Sequence, residues 1–236
     1  MLKNRKIFLW PLGYILIMAL AMFTSYHIFG WSYADPEMVK VLVFFEAFMT
    51  LYAVAAYKLL TPGTVFGRLK VTPSFAIYSG MMLLLFIRFV FLSSHEDLNF
   101  LFAVTLLMNL FVGVSEELIF RGVLLQSLLK QVTPLRAVLI SAVAFSLLHS
   151  VNVLAGFAVS DMTFQLINTF IYGVFAGCLV VRIGNLLPIM FFHFLWDTMV
   201  GDTAFVIACP ESVFVMVALE IILTIALVVS FKREEK

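Results

Sequence analysis

The stretch GVSEELIFRGVLL, residues 113–125, carries three ionisable side chains in an otherwise apolar run: Glu116, Glu117 and Arg121. Glu117 and Arg121 stand at i,i+4, one face of a helix, where they can form an ion pair. Glu116 is turned about 100° from Glu117, so it faces elsewhere and lacks that local partner. Two more stretches repeat the spacing. FSLLH sets Phe145 four residues before His149, and HFLWD sets His193 four before Asp197. Two carboxylates and two imidazoles meeting in a desolvated cavity can do acid–base chemistry on water. A glutamate takes the proton, one histidine holds the water, and the other stabilises an oxyanion. Each group also has a bland reading. Glu117–Arg121 can be a structural ion pair, His149 a satisfied core histidine, and His193–Asp197 a hydrogen bond between helices. The chemistry needs all of them together.

Those side chains must be carried by a scaffold that sits in lipid. Of 236 residues, 63% are hydrophobic and only 12% charged, with a mean hydropathy of +1.09. A soluble domain needs about a quarter of its residues charged to cover its surface. The net charge of +1 and the lack of a basic cluster give no reason to expect nucleic acid. Cys178 lies in an apolar run and Cys209 in a loop, without CxxC spacing, so neither a disulfide framework nor a zinc knuckle is expected.

Segments long enough to span, or nearly so, cover 7–29, 41–60, 75–92, 101–129, 135–153, 164–181, 186–200 and 213–231. The first follows Lys3, Arg5 and Lys6 and is longer than a signal peptide's apolar region, so it reads as a transmembrane helix. In lipid the backbone must satisfy its own hydrogen bonds, so the expected fold is all-α: a polytopic bundle of about eight transmembrane helices. Lys3, Arg5 and Lys6, Arg68 and Lys70, Lys130 and Arg136, Arg182, and Lys232 and Arg233 fall at one end of these spans. Asp35, Glu37, Glu96, Asp97, Asp161, Asp202 and Glu211 fall at the other, with Lys40 the exception. The positive-inside rule then puts both termini in the cytoplasm. Without repeats or linkers, residues 1–236 read as one integral-membrane domain, with a motif-bearing core at about 101–200.

The fourth segment is too long for one perpendicular span, at over ~40 Å against a core of roughly 30 Å. The seventh is short, with Pro188 near its start, so part of it is expected to be shielded by protein. Glu116 is 14 residues from Lys130, and His149 is 13 from Arg136. Each therefore lies about 20 Å along its helix, and His193, 8 residues from Asn185, about 12 Å. Three helices thus bring an acid or an imidazole to comparable depth.

EELIFR, FSLLH and HFLWD resemble, in order, the EExxxR, FxxxH and HxxxN/D motifs of the CAAX protease and bacteriocin-processing family. The resemblance covers about 101–200. It implies an intramembrane glutamic-type endopeptidase on an eight-helix bundle, needing no cofactor, related to the Ras-converting CAAX prenyl protease. It implies Glu116 as the base activating water, His149 holding that water, and Glu117 paired with Arg121 to shape the site. His193 and Asp197 fall at the oxyanion-stabilising positions. The better-known branch has Asn at the last of these. An ionised Asp cannot donate to an oxyanion, so Asp197 is either protonated or serves to orient and charge His193. The implied partners are the lipid bilayer and a membrane-associated peptide or protein substrate. The implied setting is a multi-pass protein of a bacterial plasma membrane, its oligomeric state open.

Rival readings use the same residues. Glu116, His149 and His193 could form a His₂Glu zinc site, although no HExxH is present. Serine chemistry lacks a GxSG, and Gly201–Asp202 lacks the preceding glycine of a GxGD. A non-catalytic bacteriocin-immunity or binding protein could use the bundle, but has no need of a buried Glu116. A transporter could use Glu46 and Arg88 as relay groups; these are expected instead to pair with each other. Glu220 has no evident partner in the sequence.

Overall fold

The computed structural model describes residues 5–92, 99–201 and 203–234. Lys3, Glu96, Asp97 and Asp202, used above for orientation, lie outside them. The helices are α1 (Leu9–His27), α2 (Val39–Leu60), α3 (Pro73–Leu92), α4 (Phe100–Glu117), α5 (Gln126–Leu129) and α6 (Pro134–Leu148). After them come α7 (Val159–Ile183), α8 (Leu187–Val200), α9 (Thr203–Ala208) and α10 (Glu211–Glu234). A π-helical segment, Leu118–Leu125, joins α4 to α5, and a 3₁₀ segment, His149–Ala155, follows α6. Among the described residues, the only β-type pairing is an isolated bridge between Phe66 and Asn185. Among the described residues, seven helical stretches are long and apolar enough to cross a membrane, and α8 is a shorter apolar helix. The chain is an all-α, multi-pass integral membrane protein.

The apolar positions sort into two faces. On α1, Tyr14, Met18, Ala21, Met22 and Ser25 are buried, while Leu12, Leu16 and Leu20 are exposed. That i,i+4 stripe of exposed leucine suits lipid, and Phe44, Phe48 and Leu51 do the same on α2. The inner faces close around the long fourth segment. Its 30 residues exceed what one perpendicular span needs, and the excess is enclosed by protein: all eight residues of the π segment are buried. At 14 residues, about 21 Å, α8 is too short to span alone. It packs against α4 instead of relying on lipid.

Close approach is made possible by glycine. A Cβ at Gly113 on α4 would stand 2.8 Å from the Met190 carbonyl oxygen and 3.0 Å from the Phe194 amide nitrogen of α8. On α7, Gly173 and Gly177 lie one turn apart and let α6 approach at Ala142 and Val138. At one end of the bundle the loop after α2 is tied to the turn after α7. Leu186 N donates to Val65 O at 2.8 Å, Lys70 N to Ile183 O at 2.9 Å, and Asn185 Nδ2 to Gly67 O at 2.7 Å. Gly184 makes that turn with φ +68°, a left-handed helix stop that a side chain would strain.

Candidate active site

The Glu117 carboxylate is the hub. Its Oε1 accepts from Arg121 Nη1 at 3.0 Å, from His193 Nδ1 at 2.9 Å and from Tyr172 Oη at 3.2 Å. Glu117 and Arg121 are both fully buried. The guanidinium lies 3.9 Å from the centre of the Phe145 ring and 5.3 Å from that of Tyr172, a cation–π contact with each. The expected i,i+4 contact therefore forms, but through a backbone that is π-helical from Leu118 onward. Widening a helix frees carbonyls that lipid cannot satisfy. Side chains take them up: Ser141 Oγ donates to Phe120 O at 2.8 Å, Thr61 Oγ1 to Gly122 O at 2.9 Å and Gln126 Nε2 to Arg121 O at 3.3 Å.

With Nδ1 given to Glu117, His193 turns Nε2 toward the other two acids. Nε2 is 3.3 Å from Asp197 Oδ2 and 3.9 Å from Glu116 Oε2. The carboxylate orienting the ring at Nδ1 is thus Glu117, whereas Asp197 meets the opposite nitrogen. Glu116 is buried, and its Oε2 has no hydrogen-bond donor among the described residues. His149 sits at the first position of the 3₁₀ segment, one residue past α6, within the helical stretch Pro134–Ala155 that answers to the apolar segment 135–153. Its Nδ1 meets Phe145 O at 3.1 Å, which leaves Nε2 free to face the cavities. Gly156, at φ +77°, ends that segment against Tyr26.

Two cavities meet at this wall. One, of about 350 Å³, is lined by Glu116 and Glu46 from one side. The other, of about 450 Å³, lies toward α7 and α10. His149, Gln165, His193 and Asp197 line both. All six candidate side chains therefore fall in one place: four on the cavity walls, with Glu117 and Arg121 directly behind His193. Among the described residues, no three His, Cys, Asp or Glu side chains are grouped so as to hold a metal ion.

Two sequence expectations are corrected. Glu46 and Arg88 do not pair. Arg88 Nη1 meets Glu211 Oε1 at 2.7 Å on the exposed side of α3. Glu46 is buried and accepts from Ser115 Oγ at 3.2 Å, and Ser115 in turn bonds the Tyr14 hydroxyl at 2.7 Å. Glu220 does have a partner, since Tyr78 Oη donates to its Oε1 at 3.1 Å. Tyr172 is the site residue that spacing could not reveal. It stands alone in the apolar run of α7, and only the tertiary fold brings it to Glu117.

No curated protein matches the chain. Residues 98–199 match the Rce1-like family, described as type II CAAX prenyl endopeptidase, Rce1-like. That interval begins just before α4, ends in α8 and contains all six candidate side chains. Over that interval, less than half of the chain, the protein is similar to the Rce1-like CAAX prenyl endopeptidases.

Proposed function

We propose that this protein is an intramembrane glutamic-type endopeptidase that hydrolyses a peptide bond of a membrane-associated peptide or protein. The observation that carries the reading is Glu116: a buried carboxylate on a cavity wall, its Oε2 without a donor and 3.9 Å from His193 Nε2. A carboxylate costs much to bury in a membrane and is retained where it works.

In the reaction, a water held between Glu116 and His149 Nε2 gives its proton to Glu116 as its oxygen attacks the scissile carbonyl carbon. The carbonyl π electrons move to oxygen, and His193 Nε2–H donates to the oxyanion so formed. Asp197, itself no donor when ionised, supports the charge on His193. As the C–N bond breaks, Glu116 returns the proton to the departing nitrogen, leaving a new carboxyl and a new amine. Glu117, anchored by Arg121 and Tyr172, holds His193 Nδ1 and so aims Nε2. The whole chain acts as one membrane domain, with both termini cytoplasmic, in a bacterial plasma membrane.

The test compares peptide termini in membranes from cells that carry wild type or Glu116→Gln. Termini that appear only with wild type support the reading, and removal of general-base catalysis is expected to cut turnover by about 10²–10⁴-fold. If the two sets of termini are identical while the protein's biological role survives the substitution, proteolysis is the wrong function.

A further inference from the structure

The larger cavity has a lining that the hydrolytic chemistry does not use. Beyond the shared wall it runs between α7, α8 and α10, with Phe157, Phe164, Tyr172 and Trp196 giving it aromatic sides. Three carboxylates line it, Asp161, Asp197 and Glu220, and no Lys or Arg does among the described residues. Arg121 stands behind the Phe145 ring, and its charge is met there by Glu117. Glu220 is the singular feature. It is only 6% exposed, on a membrane-spanning helix outside the segment that matches the family. Its Oε1 accepts from Tyr78, while Oε2 has no hydrogen-bond donor and no cation meets either oxygen among the described residues. An acid at that depth with no countercharge calls for a partner that arrives from outside. Aromatic faces around a carboxylate are the surroundings in which a desolvated cation binds well.

We propose that this cavity is the subsite for a long cationic side chain of the substrate, lysine or arginine, whose ammonium or guanidinium ion meets Glu220 while its aliphatic stem lies along Trp196, Phe164 and Tyr172. The assignment rests on the proteolytic reading, because the cavity reaches the reacting atoms through His193 and Asp197. An apolar group would fill the aromatic part yet leave Glu220 without a countercharge. A cation does both. Asp161, on the first turn of α7, lines the same cavity and draws the cation inward.

The protein in lipid nanodiscs is given a membrane-tethered peptide library in which each position carries lysine, arginine, glutamine or norleucine, and cleavage products are sequenced by mass spectrometry. Wild type is expected to favour lysine and arginine over norleucine at one position by about tenfold or more. Glu220→Gln, which keeps an acceptor for Tyr78, should bring that ratio close to one. A wild type without the preference, or a preference that survives Glu220→Gln, overturns the subsite while leaving proteolysis intact. If wild type and Glu116→Gln both cleave nothing, proteolysis itself fails, and the cation site is decided by binding. Phenethylguanidinium should then raise the melting temperature of wild type and of Glu116→Gln but not of Glu220→Gln, whereas neutral phenethylurea raises none. Equal shifts for the two compounds, or an unchanged shift in Glu220→Gln, would reject the site.

Discussion

The two cavities share a wall and differ in everything else. On the side of α1, α2 and α4, Glu116 and Glu46 face a space of about 350 Å³. On the side of α7 and α10, aromatic rings and Glu220 enclose about 450 Å³. The first holds the carboxylate suited to work on water, the second the surface suited to hold a side chain. Between them stand His149, His193 and Asp197, reaching both. On the proposed reading, water attacks from one side of the wall while the substrate chain is gripped from the other. The difference also separates two kinds of buried acid. Glu117 Oε1 takes three hydrogen bonds, from Arg121, His193 and Tyr172, whereas Glu116 Oε2 takes none and Glu220 has only the Tyr78 hydroxyl among the described residues.

The wall can be broken in ways that should be read on both sides at once. Replacing Arg121 with methionine strands Glu117 at a fully buried position, and breaking such a pair costs about 3–5 kcal/mol. We expect a large fall in melting temperature in nanodiscs and loss of all cleavage. By contrast, Arg88→Gln removes an ion pair whose side chains are about half exposed, 47% and 51%, and should leave both readouts unchanged. If Arg121→Met melts like wild type, Glu117 is not held as the geometry requires.

Gly113→Ala tests the wall at its hinge. The added methyl meets Met190 O at 2.8 Å and must push α4 and α8 apart, with overpacking costing about 1–3 kcal/mol. Because α4 carries Glu116 and α8 carries His193, a shift of a fraction of an ångström enters the 3.9 Å gap between them. Turnover should fall by about tenfold to a hundredfold, with the side-chain preference of the far cavity retained, since Glu220, which sets it, stands on α10. Equal losses of rate and preference would mean that the two cavities act as one site.

Much of this arrangement is legible in the sequence because intramembrane charge is rare. Glu116, Glu117, Arg121, His149, His193 and Asp197 stand out against leucine and phenylalanine, and i,i+4 spacing states which of them share a face. The helices themselves follow from hydropathy, including the short α8 and the overlong fourth segment. What spacing cannot give is contact between helices. It paired Glu46 with Arg88 because they are the ionisable residues of adjacent spans, but rotation about the helix axis turns Arg88 outward to Glu211 and Glu46 inward to Ser115. It left Glu220 alone because Tyr78 lies 142 residues away. The π segment escaped as well. A helix one residue wider per turn depends on Ser141 and Thr61, on other elements, donating to its freed carbonyls, and no local pattern in residues 118–125 announces that.

Tyr172 gives the finest test of the comparison, because it touches the hub and lines the far cavity but not the near one. Tyr172→Phe keeps the ring against Arg121 and Phe145 and removes only the hydroxyl that donates to Glu117 Oε1 at 3.2 Å. Arg121 and His193 continue to donate to that oxygen, so the carboxylate is not left unpartnered and the expected cost is about 1.5–3 kcal/mol at most, that of one hydrogen bond to a charged group. If Tyr172 serves to keep Glu117 against His193, turnover should fall several-fold with KM unchanged, because the imidazole loses its fixed aim while the pocket keeps its shape. A change confined to KM would instead make Tyr172 a wall of the side-chain pocket, with His193 held by Glu117 and Arg121 alone.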